Sequence, residues 1–423
     1  MLDIQLIRQE TGAVKSGLEK VGQDPAVIDE VLTLDAERRS LQQEGDTLRA
    51  KLKAESKAIS QEKDSDKRQT LIQAVSDVKT KIKENTALMP KIEERLSDLM
   101  LAIPNIPLPE VPVGADDSEN IIDGVFGETP QFDFTPKPHW ELMIDLDIID
   151  FERGQKISGS RFYVLKGDGA RLQRALISWM LDLHCKEHGY TELYPPCMVR
   201  SDCLVGTGSL PKFGDNLYRD AEEDYWFIPT AEVPVTNFHR EEILDGETLP
   251  RKYVAFTPCF RREKMSHGKD TRGIKRGHQC DKVEMVQVVR PETSRDALEE
   301  LTGHAKRVLE LLGLQHRKIK MCTGDLSFVS CMKYDWEAFA PGCDEWLEVS
   351  SCGLFGDFQA RRAKIRFKDS DKKNKFVHTL NGSGLALPRV VISIVETYQQ
   401  PDGSVVIPEV LRPYMGGRTA ITR

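Results

Sequence analysis

The chain has 423 residues, of which 39% are hydrophobic and 30% are charged, and its formal net charge at pH 7 is −8. This length is enough for two domains, and the acidic balance argues against a protein that binds nucleic acid through overall basicity, so any such contact must be local. No basic segment followed by an apolar core opens the chain, and no apolar run approaches the ~20 residues of a membrane helix. We therefore expect a cytoplasmic protein with no membrane partner, and the nine cysteines, none of them in a CxxC pair, fit such a reducing compartment.

Two apolar series with heptad spacing dominate the N-terminal part of the chain. The first runs Val27, Val31, Leu34, Leu41, Leu48, Leu52 and Ile59, interrupted by Arg38, Gly45 and Glu55, and the second runs Leu71, Val75, Val78, Ile82, Met89, Ile92, Leu96, Leu99 and Ile103, interrupted by Asn85. Heptad spacing places one apolar seam on each helix, and two helices joined by a polar turn can bury their seams only against each other. We predict an antiparallel coiled-coil hairpin over about residues 27–103, within an N-terminal domain of residues 1–104.

Basic residues are frequent along both predicted helices. They include Arg38, Arg39, Arg49, Lys51, Lys53, Lys57, Lys79, Lys81 and Lys83. Acidic residues such as Glu44, Asp46 and Glu55 are interleaved with them, so spacing alone favours a solvated face with helical ion pairs.

A proline-rich stretch from Pro104 to Pro112 cannot continue a helix, and we predict a linker over 105–138 before a second domain over 139–423. The predicted strands of that domain are 190–199, 225–229, 252–260, 281–290, 317–322, 346–352 and 358–366, and the predicted helices are 171–188, 293–312 and 390–398. Strands with so few intervening helices favour an α+β domain, with an antiparallel sheet flanked by helices on one side.

A basic loop between two predicted strands is the most informative motif. The strand ends Phe260-Arg261-Arg262-Glu263 and His278 to Glu284 bracket Lys264, His267, Lys269, Arg272, Lys275 and Arg276. Arg261 could hold an α-phosphate, and Glu263 could accept from an adenine amino group or orient Arg261. Glu284, a carboxylate among apolar residues, suits an ammonium or hydroxyl group. A solvated charged hairpin is the alternative, but the two needs together describe an enzyme that joins ATP to an amino acid.

Thr230 and Glu232 follow another predicted strand, where a hydroxyl and a carboxylate can bind an α-amino group. The alternative is a helix cap, because a threonine with an acidic residue in the first turn is a common helix start. Arg389 follows a glycine-rich segment, Leu380 to Leu387, that we interpret as a loop, and it could contact the γ-phosphate side of ATP. A loop before a core helix is the alternative there.

Glu348 to Cys352 lie on a predicted strand that carries hard oxygen ligands suited to Mg²⁺. Side chains alternate along a strand, so Glu348 and Ser350 share one side. A bend is therefore needed if Glu348 and Ser351 are to hold the same ion. An edge strand with exposed polar residues is the alternative.

In this order the motifs resemble the signature motifs of class II aminoacyl-tRNA synthetases, and most closely those of the bacterial-type seryl-tRNA synthetase family. The strings that carry the resemblance are TAEVPVTN (230–237), KDTRGIKRGHQ (269–279), DKVEMVQ (281–287), DFQARR (357–362), HTLNGSGLA (378–386) and PEVLRPYMGG (408–417). The resemblance covers essentially the whole chain, including the hairpin. It implies ligation of L-serine to tRNA(Ser), and also to tRNA(Sec), through a seryl-adenylate made from ATP with Mg²⁺. It further implies that the hairpin holds the variable arm of the tRNA and that a homodimer forms through the segment near 171–196.

The resemblance also implies a set of site residues. The ATP-binding residues would be Arg261, Arg262, Glu263, Glu348, Val349, Ser350, Ser351 and Arg389, with Arg261 and Arg389 acting in catalysis and with Glu348 and Ser351 as the metal ligands. The serine-binding residues would be Thr230, Ala231, Glu232, Glu284, Asn381 and Ser383.

Several positions depart from the pattern of that family. Cys280 replaces a phenylalanine that stacks on adenine, so weaker ATP binding is expected. The other departures are Lys264-Met265 in place of Ala-Gly, Trp346-Leu347 in place of Tyr-Arg, and Gly353-Leu354 in place of Ser-Asn. These departures leave two alternative functions open, a paralogue that aminoacylates a carrier and a tRNA-binding protein without catalysis.

Overall fold

A computed structural model describes residues 1–264 and 272–423, and contacts divide the chain into two units, Leu2–Pro104 and Asn105–Arg423. The helices are α1 (Ile4–Gln9), α2 (Thr11–Lys20), α3 (Val27–Gln61), α4 (Ser65–Ala102), α5 (His139–Asp145), α6 (Phe151–Ser158), α7 (Asp168–Glu187), α8 (Ser201–Thr207), α9 (Glu232–Thr236), α10 (Ser294–Leu311), α11 (Phe358–Ala363) and α12 (Leu387–Thr397). The strands are β1 (Ile121–Phe126), β2 (Ile149–Asp150), β3 (Val164–Leu165), β4 (Thr191–Leu193), β5 (Met198–Val199), β6 (Trp226–Phe227), β7 (Ile243–Asp245), β8 (Arg251–Phe260), β9 (Gln279–Val289), β10 (His316–Lys320), β11 (Met332–Ala340), β12 (Glu345–Gly356), β13 (Arg366–Lys368), β14 (Asn374–Phe376), β15 (His378–Ala386), β16 (Val405–Val406) and β17 (Ala420–Ile421). Among the described residues, no helix combines the length and the apolar composition that crossing a membrane requires.

The predicted coiled-coil hairpin is confirmed by α3 and α4, which pack together in antiparallel order. Arg95 of α4 pairs with Glu30 of α3 at 2.7 Å, near the end of the hairpin where the chain enters and leaves it. Gly45 and Asn85, two of the residues that interrupt the heptad series, face each other. Asn85 Nδ2 donates to the carbonyl of Leu41 at 2.9 Å, and a Cβ on Gly45 would lie 3.1 Å from Asn85 Oδ1. The glycine therefore makes room for a buried amide that is hydrogen-bonded across the hairpin.

A mixed sheet of eight strands, in the order β1-β10-β11-β12-β15-β9-β8-β4, forms the centre of the second unit. The flanked, largely antiparallel sheet that the sequence predicts is confirmed, but the sheet has one parallel pair, β4 with β8, at its edge. The segment 105–138, predicted as a linker, contributes β1 to the opposite edge, where it pairs with β10. Apolar residues Ile121, Ile122 and Val125 supply the β-propensity that outweighs the surrounding polar residues.

Two predicted elements differ from the observed ones, and one central strand was not predicted. The predicted strand 358–366 is instead α11 followed by the short β13, because the apolar residues of Phe358–Ala363 fit a helix and Arg361 pairs with Asp357 one turn earlier at 2.7 Å. The glycine-rich segment interpreted as a loop is the central strand β15, and β11 was not predicted at all. Both strands lie in the middle of the sheet and neighbour β12.

The two faces of β15 have different neighbours. A Cβ on Gly382 would lie 2.3 Å from a methyl group of Leu301 in α10, and one on Gly384 would lie 2.5 Å from Nε2 of His184 in α7. Helices therefore approach so closely on this face that only glycine fits. Because side chains alternate along a strand, Asn381 and Ser383 point to the opposite face. We call that opposite face of the eight-stranded sheet the charged face.

Candidate active site

Neighbouring strands β9 and β15 bring polar side chains together on the charged face. Glu284 of β9 lies opposite Ser383 of β15 in the antiparallel register, and both side chains are almost fully buried. Lys282, two residues before Glu284 on the same face, places its Nζ 2.5 Å from Glu284 Oε2. This buried ion pair balances the carboxylate charge, and the neighbouring Glu284 raises the pKa of Lys282 despite the opposing effect of burial.

A second carboxylate, Glu232, opens α9 beside Glu284. Burial and the charge of Glu284 raise the pKa of Glu232 to about 7. Gln359 of α11 donates from Nε2 to Glu232 Oε1 at 2.6 Å and accepts from Thr379 Oγ1 at 2.7 Å, so its amide orientation is fixed. Thr230 Oγ1 accepts from the backbone N–H of Glu232 at 3.1 Å, although Ala231, and not Thr230, is the residue that caps α9. Ala231, between these residues, is fully buried.

A β-bulge in β12 supplies the bend that the sequence required. Trp336 of β11 pairs with Ser350 and Glu337 pairs with Glu348, so Val349 is an extra residue on β12. Glu348 and Ser351 consequently lie on the same face, whereas the side chains of Val349 and Ser350 are buried. Ser350 Oγ donates to the carbonyl of Ser383 at 2.6 Å, which ties β12 to β15.

Positive side chains surround Glu348. Arg389, in the first turn of α12, places Nη1 2.7 Å from the Glu348 carbonyl and 3.5 Å from its carboxylate. Desolvation of this half-exposed carboxylate raises the pKa of Glu348, but Arg389, Lys333, Arg261 and Lys282 outweigh it and hold that pKa below its ordinary value. Of these cations, Arg389 contacts Glu348 directly, and strand alternation places Lys282 on the same face as Glu284.

The end of β8 and the start of β9 hold Arg261. Its Nε donates to the carbonyl of Pro229 at 3.2 Å, and its backbone N–H donates to the carbonyl of His278 at 2.9 Å. Glu263, which has a left-handed φ of +50°, lies 3.4 Å from Nη1 of Arg276. The two bonds of Arg261 fix the position of its guanidinium beside the charged face.

Of the two remaining described positions, Asn381 lies on the charged face, and Arg262 lines a surface cavity. Arg262 is exposed and lines an open cavity of about 470 Å³ together with Asp215, Tyr218, Arg219 and Trp226. Asn381 is partly buried and pairs with Gly353 in the register of β12 and β15. The loop residues Met265, His267 and Lys269 lie outside the described residues.

The C-terminal end of the basic loop is held by a buried histidine. His139 Nε2 accepts from the backbone N–H of Ile274 at 3.3 Å, and its Nδ1 therefore carries the proton that it donates to Glu396 Oε1 at 2.8 Å. Gly273 has a φ of +72°, and a Cβ there would lie 1.9 Å from His139 Nε2. Glu396 also accepts from Cys343 Sγ and from backbone N–H groups, so its lone pairs are already used and the group is no metal site.

Four residues of the site escaped the sequence reasoning, namely Lys282, Lys333, Asp335 and Gln359. Lys333 and Asp335 alternate with buried residues of β11, and their ion pair measures 3.2 Å. Burial raises the pKa of Asp335 to about 7. Polar and apolar residues alternate in KYDWEA (333–338), and this period-two pattern could have predicted the strand that carries them. No such signal marks Gln359, because its role depends on α11 packing beside Glu232.

The charged face thus offers guanidinium and ammonium groups for a polyphosphate, oxygen ligands for a hard cation, and two carboxylates for an ammonium group. Residues 1–107 match the family described as Seryl-tRNA synthetase N-terminal domain, and residues 215–398 match tRNA synthetase class II core domain (G, H, P, S and T).

The chain is also similar over its full length to individual proteins. The serine–tRNA ligase of Dehalococcoides mccartyi is 56% identical to it, over 98% of this chain and 99% of that relative. The serine–tRNA ligase of a Roseiflexus species is also 56% identical, over 100% of both chains. The crystal structure of seryl-tRNA synthetase from Pyrococcus horikoshii complexed with ATP matches with a TM-score of 0.95 at 37% identity, covering 100% of this chain and 99% of that one.

Proposed function

Because the chain belongs to the seryl-tRNA synthetase family and is a serine–tRNA ligase, we propose how its charged face carries out the two steps of the reaction. In the first step the serine carboxylate attacks the α-phosphorus of ATP, and pyrophosphate leaves. In the second step a terminal ribose hydroxyl of tRNA attacks the seryl carbonyl, and AMP leaves. Neither step requires strong acid–base catalysis, so positioning and charge neutralisation carry most of the rate enhancement.

Cations near Glu348 define the ATP end of the site. Arg261 grips the α-phosphate, where negative charge develops during attack, and Arg389 binds the phosphate tail. Glu263 accepts from the adenine amino group, and its ion pair with Arg276 holds that carboxylate in place. The observation that carries this assignment is the contact of Arg389 with the Glu348 carboxylate at 3.5 Å, together with Arg261 directly after β8 on the face of Cys259 and Cys280.

The donor set fits Mg²⁺ at Glu348 and Ser351. The bulge at Val349 presents a carboxylate and a hydroxyl from the same face, and Mg²⁺ prefers hard oxygen ligands. When bound there, Mg²⁺ would neutralise charge on the phosphate oxygens. Backbone groups of Val349 and Ser350 could contact ATP, but their side chains are buried in the sheet.

Serine is expected to bind at the other end, among Thr230, Glu232, Glu284, Asn381 and Ser383. The carboxylates attract the α-ammonium group, and polar groups around them bond the side-chain hydroxyl. Alanine would leave these buried polar groups without partners, which disfavours it strongly.

Serine-dependent ATP–pyrophosphate exchange tests the first step directly. Arg261→Ala should lower kcat/KM by roughly a hundredfold or more, because it removes a charged partner of the transition state. Arg240→Ala is the matched control, since Arg240 pairs with Asp202 at 3.1 Å, and it should retain activity. Absence of serine-dependent exchange in the unmodified protein would overturn the assignment.

The coiled-coil hairpin of α3 and α4 is our candidate for the tRNA-binding arm, within the proposed domain 1–104. Lys53, Lys57, Lys79, Lys81 and Lys83 are exposed and make no ion pair among the described residues, so they can contact phosphates. Replacing residues 30–95 with a short linker should abolish charging of tRNA(Ser) and of tRNA(Sec) while exchange persists. Equal loss of both activities would contradict an arm that acts only on tRNA.

A homodimer formed through α7 and β4 is also proposed. Strand β4 lies at the edge of the eight-stranded sheet, and Tyr194 directly after it is 95% exposed. An exposed strand edge beside a large exposed aromatic ring is a surface that association would cover. Sedimentation should give twice the chain mass of 47.9 kDa, and Tyr194→Asp should shift the equilibrium toward monomer.

A further inference from the structure

Two cysteines lie directly opposite each other beside the proposed ATP site. Cys259 of β8 pairs with Cys280 of β9 in the antiparallel register. Opposed residues in such a ladder have Cα atoms about 4.5–5.5 Å apart, which is inside the range that a disulfide spans. Both cysteines are free thiols. Oxidation could therefore join them without a large backbone movement.

The surroundings of the two thiols are unequal. Cys259 is fully buried, whereas Cys280 is partly exposed. The interaction with Cys259 holds the pKa of Cys280 below its ordinary value, Arg261 and Lys282 lower it further, and burial opposes them. The same interaction and burial raise the pKa of Cys259. Cys280 is thus the accessible thiolate and Cys259 the protected partner.

We propose that Cys280 and Cys259 form a reversible disulfide when the protein meets a peroxide. The Cys280 thiolate attacks one peroxide oxygen, an S–O bond forms as the O–O bond breaks, and the leaving hydroxide takes a proton to become water. The sulfur of Cys259, losing its proton, then attacks the Cys280 sulfenic acid, an S–S bond forms, and a second water leaves. Two thiols are oxidised and one peroxide is reduced.

Disulfide formation should stop adenylate synthesis, a consequence that rests on the proposed function. The S–S bond fixes the end of β8, which leads into Arg261, against the start of β9, so the guanidinium can no longer adjust its position to the α-phosphate. Lys282 and its partner Glu284 lie on the same face of β9 as Cys280, two and four residues after it. Bound ATP should cover Cys280 and slow its oxidation.

Hydrogen peroxide treatment of the full chain, with and without ATP, tests the proposal. After alkylation and digestion, mass spectrometry should find the peptide of Cys259 joined to that of Cys280. Serine-dependent exchange should fall by roughly tenfold or more and return with dithiothreitol, since disulfides are reversible and sulfinic acids are not. Excess ATP should reduce the yield of the joined peptide.

Cys259→Ala removes the resolving thiol, and Cys203→Ala removes a half-buried thiol of α8 as a matched control. In Cys259→Ala, peroxide should convert Cys280 to sulfinic acid, and dithiothreitol should not restore activity, whereas Cys203→Ala should behave like the unmodified protein. Absence of the joined peptide in the unmodified protein would overturn the proposal, even if untreated exchange is normal. If the protein lacks serine-dependent exchange before any peroxide treatment, the proposed function is wrong. The mass-spectrometric search for the joined peptide still tests disulfide formation in that case.

Discussion

Single residues set the conditions under which the proposed serine site can bind an ammonium group. Glu232 and Glu284 lie close together, and burial with the charge of Glu284 raises the pKa of Glu232 to about 7. Gln359 opposes that shift through its hydrogen bond to Glu232. The ionised fraction of Glu232 therefore increases with pH through the neutral range, and only the ionised form attracts the substrate ammonium.

A pH profile follows from this arrangement. As pH falls below 7, protonation of Glu232 should reduce kcat/KM for serine, by about tenfold per pH unit well below the pKa. Gln359→Leu removes a bond that lowers the pKa, so the acid limb should move to higher pH. Serine-dependent exchange measured from pH 5.5 to 8.5, an approximate range around the pKa, checks both effects. A flat profile for serine would contradict a role for Glu232 in ammonium binding.

At Cys280 a small thiol occupies the position where the family resemblance places an aromatic ring. Cys280→Phe should lower KM for ATP about fivefold, since a stacked ring contributes roughly 1 kcal/mol. Cys280→Ala has no ring and should give no such gain. Initial rates of exchange at varied ATP concentration measure the effect, and an unchanged KM in Cys280→Phe would show that adenine binds elsewhere.

Sequence patterns identified Arg261, Glu284, Glu348 and Arg389, because charged residues beside strand ends or among apolar residues are conspicuous. Strand register places Glu284 and Glu348 on the charged face, Arg389 contacts Glu348 at 3.5 Å, and Arg261 follows β8 on the same face. Lys282 was overlooked although strand alternation places it on the face of Glu284. Gln359 could not have been found, since its partners Glu232 and Thr379 are distant in sequence and meet it only after α11 packs.

Among whole elements, β12 shows how one extra residue changes the chemistry of a strand. Without the bulge at Val349, Glu348 and Ser351 would point to opposite faces. From the sequence, a bend is needed for Glu348 and Ser351 to hold one ion, but its form is not predictable. A bulge is defined by the pairing of β12 with β11, and β11 is absent from the predicted strands. The coiled-coil helices, in contrast, were predictable, since heptad spacing is a local pattern.

The hairpin offers a test of electrostatic binding at the scale of an element. The cations near its base and middle are engaged, Arg38 and Arg39 with buried Asp35 at 3.2 and 3.1 Å and Lys51 with Glu55 at 3.7 Å. Lys53, Lys57, Lys79, Lys81 and Lys83, which we assign to tRNA contact, have no such partner among the described residues.

Changing Lys79, Lys81 and Lys83 together to alanine should weaken tRNA binding. The slope of log affinity against log salt should become shallower by roughly two to three, as expected for the loss of three phosphate contacts. The single variant Lys51→Ala is the control, because Lys51 already pairs with Glu55. Filter binding at several salt concentrations measures the slope, and an unchanged slope would place tRNA contacts elsewhere. ATP–pyrophosphate exchange should be unaffected.

For the whole molecule, a cluster of neutral histidines links two helices to the sheet. His184 Nδ1 lies 2.9 Å from His188 Nδ1 and its Nε2 lies 3.1 Å from the carbonyl of Gly384, while the rings of His188 and His304 stack with centroids 4.0 Å apart. Tyr190 OH lies 3.2 Å from His304 Nδ1. Burial lowers the pKa of both His184 and His304 to about 3, and it also lowers the pKa of His188.

The buried histidines should therefore lower the stability of the second unit in acid, against an opposite contribution from Glu232 and Asp335, whose raised pKa values favour the folded state as pH falls. Below the ordinary histidine pKa of about 6.5, the unfolded chain binds protons that the folded chain excludes, so the free energy of unfolding falls by about 1.4 kcal/mol per pH unit for each such histidine. Urea unfolding from about pH 8 to pH 5, compared between the unmodified protein and His304→Gln, isolates the histidine contribution, and the variant should lose less stability on acidification. An identical pH dependence in the two proteins would contradict neutral burial of His304.

The strand order carries a consequence for biosynthesis. Strand β15, made from residues near the C-terminus, separates β12 from β9, so every shorter nascent chain has an unfilled slot in the middle of its sheet. The first 104 residues need no later sequence to close their helical pair, and on the ribosome they can fold early. The larger unit must wait until β15 leaves the exit tunnel, exposing two strand edges that invite aggregation in the meantime.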